Sequence, residues 1–462
     1  MTTNIDFNPQ LIKRYDKAGP RYTSYPTAVA FTEQFKTADY LEQAKQSNKE
    51  SRPLSLYFHI PFCDTVCFYC ACNKIVTKDY TKADKYLQYL YQEIKIQAAL
   101  FNSDRPVEQL HFGGGTPTFL NDQQIQQLMD YIGQHFNLLT NNKGDYSIEI
   151  DPRSVTESNI KALRKAGFNR FSLGVQDINE KVQKAVNRIQ PINETQQIIQ
   201  ACRQNNATSV SIDLIYGLPF QTVASFKETL KQVIDTLNPD RLSIFNYAHL
   251  PHLFKPQRRI NEADLPTAEE KLEILQLSIE QLIAAGYVYI GMDHFAKPND
   301  ELALAQKSGH LHRNFQGYTT HSDCDLVAMG VSAISNVNNC YSQNSKNIED
   351  YYDNIEDQQL PIIKGLILNK DDQLRRYVIQ QLACHFELTY EKVENHYPIQ
   401  FKSYFAKELK ELEQMQTDGL LTINQQGFTV SKSGRFLIRN ICMVFDIYLR
   451  NSKTKPRFSK VI

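Results

Sequence analysis

Four cysteines lie within ten residues of one another, and their spacing is the strongest chemical signal in the sequence. The stretch HIPFCDTVCFYCACNKIVT, residues 59–77, gives Cys63-x3-Cys67-x2-Cys70-x-Cys72. Three closely spaced thiolates on one loop can hold three irons of a cubane cluster, whereas clusters with only protein ligands usually take four cysteines. The spacing therefore predicts a [4Fe-4S] cluster in which one iron stays open to another ligand.

The open iron has a natural partner in S-adenosylmethionine (SAM), whose amino and carboxylate groups can chelate it and bring the sulfonium beside an electron donor. Cys72 follows Cys70 by two residues, so ligation of the same cubane is awkward, and we place Cys72 near the site without assigning it as a ligand. Zinc is the weaker alternative, because a structural zinc site needs four ligands and no second CxxC pair is present.

A glycine run follows the cysteine loop at the end of the next predicted strand. Gly113, Gly114 and Gly115 precede Thr116, and the missing Cβ atoms let the backbone approach a ligand closely. This run would suit the amino-acid part of SAM. The sequence contains neither GxxxxGK[ST] nor a dinucleotide-binding GxGxxG, so a phosphate cradle is not indicated.

Short β-rich runs alternate with amphipathic helical stretches from about residue 54, which predicts a parallel (β/α) domain of the α/β class. The predicted strands are 54–60, 109–115, 146–152, 170–176, 209–217, 241–248 and 287–293. Glu149, Gln176 and Asp213 lie near the carboxyl ends of their runs. Because such ends form the ligand-binding face, we expect these side chains to meet at one mouth of a partial, TIM-like barrel.

Three domains are predicted along the chain. Residues 1–50, which contain RYTSYPTA, would cover the substrate; residues 51–345 would form the barrel, ending in a loop-rich stretch from about 296; and residues 346–462 would form a small, mostly helical, winged-helix-like domain. In the last of these, LRRYVIQQL, YFAKELKELEQM and FLIRNICMVFDIYL have helical patterns, and GLLTINQQGFTVS has a hairpin pattern.

The composition narrows the class of protein. Lys plus Arg equals Asp plus Glu at 51 each among 462 residues, so no bulk positive field favours nucleic acid or an anionic membrane. No signal peptide or membrane-length apolar run is present, which predicts a cytoplasmic protein. We expect a monomer, since no coiled-coil heptad is visible, and read the basic tail of Lys453, Lys455, Arg457 and Lys460 as solvated surface.

The order of motifs resembles the radical SAM superfamily and, nearly end to end, its oxygen-independent coproporphyrinogen III oxidases, also called coproporphyrinogen dehydrogenases. The motifs that carry the resemblance are RYTSYPT, HIPFC, CxxxCxxCxCNKI, HFGGGTPTFL, IEIDPR, GVQD, SIDLIYGLP, FNYAHLP, GMDHFA, HRNFQGYTT, GVSAIS and RNICMVFD.

The resemblance implies a step of haem biosynthesis. Two propionate side chains of coproporphyrinogen III would be oxidatively decarboxylated to vinyl groups without oxygen, giving protoporphyrinogen IX. The 5′-deoxyadenosyl radical, formed from SAM at the [4Fe-4S] cluster, would abstract a hydrogen from the propionate β-carbon. It also implies two bound SAM molecules, an electron donor such as a flavodoxin or ferredoxin system, and a terminal electron acceptor that the sequence does not identify.

Position by position, the resemblance implies Cys63, Cys67 and Cys70 as cluster ligands. The implied SAM contacts are Tyr57, Tyr69, Gly114, Gly115, Thr116, Glu149, Gln176, Arg188, Asp213, Ala248 and Ile334. Tyr69 stands where the family often has Phe. The substrate carries four carboxylates, for which guanidinium is the natural partner, and Arg21 is the candidate; its alternative reading is a solvated surface arginine.

Two other functions fit parts of the sequence. A haem-binding chaperone of the same superfamily would share the cysteine loop and barrel, but such relatives typically lack the fourth nearby cysteine with NKI and the RYTSYPT segment, which are present here. A zinc-stabilised nucleic-acid binder would use the winged-helix-like region, and the balanced charge opposes it. We therefore favour the oxidase.

Overall fold

The computed structural model describes residues 7–451, so the basic tail of Lys453, Lys455, Arg457 and Lys460 lies outside the described residues. The strands are β1 (Leu54–Ile60), β2 (Phe62–Cys63), β3 (Ile75–Val76), β4 (Pro106–Gly114), β5 (Asn137–Leu138), β6 (Asp145–Ile150), β7 (Arg170–Gln176), β8 (Ser209–Tyr216), β9 (Arg241–Asn246), β10 (Val288–Gly291), β11 (His294–Ala296), β12 (His312–Asn314), β13 (Gly317–Thr319), β14 (Asp325–Met329), β15 (Ile334–Val337), β16 (Cys340–Asn344), β17 (Ile362–Ile367), β18 (Glu387–Thr389), β19 (Leu421–Ile423) and β20 (Gly427–Val430). The α-helices are α1 (Pro9–Tyr15), α2 (Thr37–Ser47), α3 (Thr81–Ala98), α4 (Asp122–His135), α5 (Glu157–Lys165), α6 (Glu180–Ala185), α7 (Ile192–Gln204), α8 (Val223–Gln232), α9 (Ala268–Ala284), α10 (Glu301–Ser308), α11 (Ile348–Glu356), α12 (Lys370–His385), α13 (Tyr390–His396), α14 (Phe401–Tyr404), α15 (Ala406–Thr417), α16 (Lys432–Phe436), α17 (Ile438–Val444) and α18 (Ile447–Asn451).

The chain forms two compact units that interleave along the sequence. The barrel unit comprises residues 31–274 and 323–367, and the flanking unit comprises the described residues of 7–30, 275–322 and 368–451. The domains predicted from the sequence (1–50, 51–345 and 346–462) are contiguous and are divided differently. Their functional division stays a prediction.

The barrel unit is built on a curved run of parallel strands in the order β9-β8-β7-β6-β4-β1-β14. Leu56 on β1 lies opposite Leu110 of β4 and Val327 of β14, and all three are buried. Such continuous burial is typical of parallel strands with both faces covered. The α/β fold with a partial (β/α) barrel, predicted from the alternation of strands and helices, is confirmed.

Aromatic side chains fill the layer between the strands and the surrounding helices. Phe58 of β1 meets Phe112 of β4 with ring centroids 5.1 Å apart, and Phe112 meets Phe168 at 5.0 Å, both edge to face. All three rings are fully buried, and such pairs add about 0.5–1.5 kcal/mol each beyond the burial of their area. This packing fixes β1 and β4, the two strands that lead into the cysteine loop and the glycine run.

The stretch expected to be loop-rich contains three strands of the barrel unit, β14 to β16, after the short strands β12 and β13 of the flanking unit. The strand β17 of the barrel unit follows this stretch. β14 pairs in parallel with β1, and β15 to β17 continue antiparallel. Asp325 begins β14 and bonds Arg105, with Arg105 Nη2 2.5 Å from Asp325 Oδ2. Both side chains are buried, and Arg105 also donates to Asn48 Oδ1.

Replacing Arg105 by methionine should lower the free energy of unfolding by about 3–5 kcal/mol, because it leaves the buried Asp325 carboxylate without its charged partner. Guanidinium denaturation followed by circular dichroism measures this change. The control is Arg52→Met, which removes an exposed arginine paired with Glu50 and should cost no more than about 1 kcal/mol. Equal midpoints for the two variants would show that the buried pair does not hold β14.

In the flanking unit, β19 and β20 form the predicted hairpin, and β18 pairs with β20. The helical patterns at LRRYVIQQL and YFAKELKELEQM lie mainly in α12 and α15. The pattern at FLIRNICMVFDIYL is divided among α16, α17 and α18. The backbone leaves the helical conformation at Leu437, and α17 ends before Phe445. The winged-helix description stays a prediction. Among the described residues, no helix is both long and apolar enough to cross a bilayer.

Candidate active site

A cavity of about 230 Å³ opens at the carboxyl ends of the parallel strands of the barrel unit. Its position agrees with the rule that the loops after parallel strands carry the ligand site. The predicted site residues that line it are Cys63, Cys67, Tyr69, Cys70, Gly114, Gly115, Thr116, Glu149, Gln176, Arg188 and Asp213. Most of the residues singled out from sequence are thus brought to one place.

The cysteine loop is held by main-chain hydrogen bonds on both sides. β2, which ends at Cys63, pairs in parallel with β3, and Thr77 N donates to Cys63 O at 2.9 Å. Phe68 N donates to Val186 O at 3.0 Å, and Cys70 N donates to Cys67 O at 3.3 Å. Cys63 and Cys67 are buried and Cys70 is partly buried, so the loop presents three largely shielded thiols to the cavity.

Polar neighbours act on the thiols of this loop. Thr116 Oγ1 donates to Cys63 Sγ at 3.4 Å, although burial raises the pKa of Cys63 to about 11. A hydrogen bond from Cys72 and the charge of Lys74 lower the pKa of Cys70, against the effect of burial. Thiolates are the form that binds metal.

Three shielded thiols that face one cavity, on one anchored loop, fit a [4Fe-4S] cluster with one open iron. Cys72 also lines the cavity and is exposed. Its assignment as a nearby residue without ligand status stays a prediction.

Gly114 and Gly115 of the glycine run form a wall of the cavity, and a Cβ added to either would clash with main-chain atoms. A Cβ on Gly115 would lie 2.7 Å from Phe62 O and 2.8 Å from Pro61 O, both main-chain atoms. Gly114 has φ +123°, and its N–H donates to Glu149 Oε2 at 3.2 Å. Gly114 and Gly115 therefore present main chain without side chains to the cavity, which suits a cradle for the amino-acid end of SAM.

A histidine that the sequence analysis missed connects two predicted SAM contacts. The ring of His111 stacks on Tyr57 with centroids 5.8 Å apart. Its Nε2 lies 3.4 Å from Glu149 Oε1, and its Nδ1 lies 2.6 Å from Ser147 Oγ. His111 therefore orients Tyr57 and Glu149. The signal for it was available, because HFGGG places a histidine two residues before the glycine run.

Gln176 and Asp213 lie on neighbouring strands at the cavity. Gln176 has φ 68°, in the left-handed region, where the register of β7 against β8 shifts. Such strained backbone is concentrated at functional sites. Burial, together with the charge of Glu149, raises the pKa of Asp213 to about 7.

Arg188 enters the cavity from the chain after α6. Its Nη1 lies 3.1 Å from Asp151 Oδ2 and 3.6 Å from Cys67 Sγ. Asp151 and Arg153, from the motif IEIDPR, also line the cavity and were not singled out as site residues. Their position directly after β6 could have indicated them, since site residues were predicted at the carboxyl ends of the neighbouring strands.

Three predicted contacts lie in the barrel unit but do not line the cavity. Tyr57 lies on β1 behind His111, Ala248 follows β9, and Ile334 begins β15. Gln257, also missed, donates through Nε2 to Tyr69 O at 3.0 Å and to Ala248 O at 3.3 Å. It therefore ties the cysteine loop to the segment after β9.

Arg21 belongs to the flanking unit and is not among the residues that line the cavity. Its Nη1 lies 3.1 Å from Asp293 Oδ2, and its side chain is 34% exposed. The structure therefore places Arg21 in an ion pair, and its assignment to the substrate stays a prediction.

The partial barrel with its three-cysteine loop and glycine wall defines the class of protein as a radical SAM enzyme. The family model for the radical SAM superfamily matches residues 57–233. The cofactors of this class are a [4Fe-4S] cluster and SAM.

The particular family follows from whole-chain similarity. The model of the HemN C-terminal domain matches residues 368–437. The oxygen-independent coproporphyrinogen III oxidase of Pseudomonas aeruginosa is 54% identical over 462 residues, covering 100% of both chains, and that of Escherichia coli is 50% identical over 458 residues, covering 99% of both. The solved structure of the Escherichia coli coproporphyrinogen III oxidase, described as a radical SAM enzyme, superposes with a TM-score of 0.92 at 50% identity over 96% of this chain and 100% of that chain. The chain belongs to the oxygen-independent coproporphyrinogen III oxidase family.

This membership confirms the resemblance drawn from the motifs. The family shown is the one that the sequence analysis favoured over the zinc-stabilised nucleic-acid binder and the haem-binding chaperone.

Proposed function

We propose that the protein converts coproporphyrinogen III to protoporphyrinogen IX in haem biosynthesis, by oxidative decarboxylation of two propionates without oxygen. The observation that carries this proposal is the meeting of Cys63, Cys67 and Cys70 with the glycine wall in one cavity, in a chain of this family. When bound, the cluster and SAM supply a 5′-deoxyadenosyl radical that takes a hydrogen from the propionate β-carbon.

The residues of the chain bind and orient these groups. We assign Cys63, Cys67 and Cys70 as the cluster ligands and Gly114, Gly115 and Thr116 as the wall that receives SAM. The remaining proposed SAM contacts are Tyr57, Tyr69, Glu149, Gln176, Arg188, Asp213, Ala248 and Ile334. Among the carboxylates that line the cavity, Glu149 and Asp213 would attract the positive charges of SAM.

Two SAM molecules are proposed, because two propionates react and each hydrogen abstraction consumes one radical. We also propose Arg21 as a partner of a substrate carboxylate. Arg21 is already paired with Asp293, so a propionate would compete with a single carboxylate at 3.1 Å for the same guanidinium. The covering role of residues 1–50 belongs to the same proposal.

An external one-electron donor, such as a flavodoxin or ferredoxin system, is proposed to reduce the cluster, and a monomer is proposed as the working state. A cytoplasmic location is proposed because cluster assembly needs reduced thiols, which that compartment maintains.

An anaerobic assay with SAM, dithionite and coproporphyrinogen III tests the proposed function in the iron–sulfur-reconstituted protein. We expect protoporphyrinogen IX together with 5′-deoxyadenosine. Cleavage of SAM with the porphyrinogen left unchanged would contradict the proposed substrate, and failure to bind iron would contradict the proposed ligands.

The affinity for SAM should rise with pH between about pH 6 and 8. Asp213, with a pKa raised to about 7, is neutral at the acidic end of this range and a carboxylate at the alkaline end. A negative charge in the cavity would favour the binding of a cation such as SAM, by up to about tenfold for an interaction of 1.4 kcal/mol. Equilibrium dialysis of SAM at pH 6, 7 and 8 measures the change.

The variant Asp213→Asn separates the titration of Asp213 from that of the charged groups near it, which are Glu149, His111 and Arg188. We expect the variant to bind SAM with a flat pH profile. The same rise with pH in the variant and the parent protein would assign the titration to another group.

A further inference from the structure

Cys67 is surrounded differently from the other two predicted cluster ligands, because two guanidinium groups point at its sulfur. Arg153 Nη2 lies 3.7 Å and Arg188 Nη1 3.6 Å from Cys67 Sγ, which are hydrogen-bond distances for a sulfur acceptor. By contrast, Cys63 receives a neutral hydroxyl from Thr116, and Cys70 is influenced by the ammonium group of Lys74.

A single carboxylate holds both guanidinium groups in place. Arg153 bonds Asp151 through two nitrogens, with Nε 2.9 Å from Oδ1 and Nη2 2.5 Å from Oδ2. Arg188 Nη1 lies 3.1 Å from the same Oδ2, and its Nη2 donates to Gly174 O at 2.5 Å. Asp151 Oδ1 also caps the turn by accepting from Arg153 N at 3.1 Å. Both donors to Cys67 are therefore fixed before any ligand binds.

The burial of this group makes its charge effective. Arg188 is 6% exposed and Cys67 is 8% exposed, and the side chains of Asp151 and Arg153 are 12% and 19% exposed. Two guanidinium groups and one carboxylate leave one net positive charge beside the sulfur, where screening by water is weak. Burial acts to raise the pKa of Asp151. The hydrogen bond from Arg153 and the charge of Arg188 nevertheless hold this pKa below its ordinary value.

Hydrogen bonds to the sulfur ligands, together with net charge and solvent exposure, set the reduction potential of an iron–sulfur cluster. One-electron reduction adds a negative charge to the cluster and its thiolates, and a cationic donor at a ligand sulfur stabilises the reduced state more than the oxidised one. We propose that Arg153 and Arg188, held by Asp151, raise the reduction potential of the cluster through Cys67. Arg153 is thus a positioning and tuning residue; this inference rests on the proposed ligation of the cluster by Cys67.

The variant Arg153→Gln tests the inference. Arg188 is left unchanged, because it is also a proposed SAM contact. The reconstituted protein, without SAM, is titrated anaerobically with dithionite and redox mediators, and the reduced cluster is followed by electron paramagnetic resonance. We expect about a tenfold smaller ratio of reduced to oxidised cluster at a given potential, which for a one-electron couple is a midpoint about 59 mV more negative. Arg153→Lys keeps the charge without the two-point bond to Asp151, and its midpoint should fall between those of Arg153→Gln and the parent protein.

Arg52→Gln, at an exposed pair with Glu50, is the matched control and should keep the parent midpoint. An unchanged midpoint in Arg153→Gln with four irons bound would overturn the inference and leave the proposed function intact. Loss of the cluster from both Arg153 variants would also overturn it, since Arg153 would then support assembly of the loop. If the parent protein bound no cluster, the ligand assignment itself would fail.

Discussion

Serine in place of Cys67 is expected to abolish the stable [4Fe-4S] cluster and to lower 5′-deoxyadenosine formation by more than about a hundredfold. Loss of residues that only support a metal ligand already costs about 10–100-fold in metal affinity or activity, so the loss of a proposed ligand should cost more. Cys63→Ser and Cys70→Ser should behave alike, because all three thiols line the same cavity. Iron and sulfide analysis, the visible absorption of the reconstituted protein and product chromatography measure the effect.

Cys72→Ser is the matched control within the same loop. Cys72 is exposed and was not assigned as a ligand, so we expect this variant to retain four irons per chain. A cluster that survives Cys67→Ser but is lost in Cys72→Ser would exchange the two assignments. Cys202→Ser, at a buried cysteine on α7, controls for a general effect of removing a thiol.

The cysteine loop and most of the barrel could be predicted because their signals are local. The ligand spacing is contained in eight residues. β1 leads into the cysteine loop, and β4, β6, β7, β8 and β9 each end at or directly before a glycine or polar residue. Parallel pairing then brings the strand ends to one face. This explains why Glu149, Gln176 and Asp213, from three different strands, were correctly expected at one cavity.

The features of the fold and the site that could not be predicted from the sequence depend on contacts between residues far apart in the chain. β14 was missed because its partner β1 lies more than 250 residues earlier in the chain and its first residue is an aspartate that is buried in an ion pair with Arg105. The role of Asp151 was missed for a similar reason. An Asp-Pro-Arg sequence is typical of a helix cap, and its capping bond is present, whereas its bond to Arg188 joins residues 37 positions apart.

Alanine at Gly115 is expected to weaken SAM binding by about tenfold or more and to lower the free energy of unfolding by about 1–3 kcal/mol. The added Cβ would lie 2.7 Å from Phe62 O and 2.8 Å from Pro61 C and O. These are main-chain atoms at the start of the cysteine loop, so they cannot give way as a flexible side chain would. The strain must therefore move either the glycine wall or the loop.

Both movements disturb the site. Gly115 N donates to Ile60 O, and Thr116 N donates to Phe62 O, each at 2.8 Å. If the wall moves outward, these bonds lengthen and Thr116 Oγ1 is drawn away from Cys63 Sγ, its acceptor at 3.4 Å. We expect a larger dissociation constant for SAM in equilibrium dialysis and a lower midpoint in guanidinium denaturation.

Gly133→Ala is the control for adding a methyl group. Gly133 lies in α4 with ordinary helical backbone, and its Cβ would meet only Leu138 Cδ1 at 3.6 Å. Alanine there should leave SAM binding unchanged and stabilise the protein by about 0.4–1 kcal/mol, because it reduces the freedom of the unfolded chain. If Gly115→Ala bound SAM as tightly as Gly133→Ala, the close contact between the glycine wall and the cysteine loop would not be what shapes the SAM site.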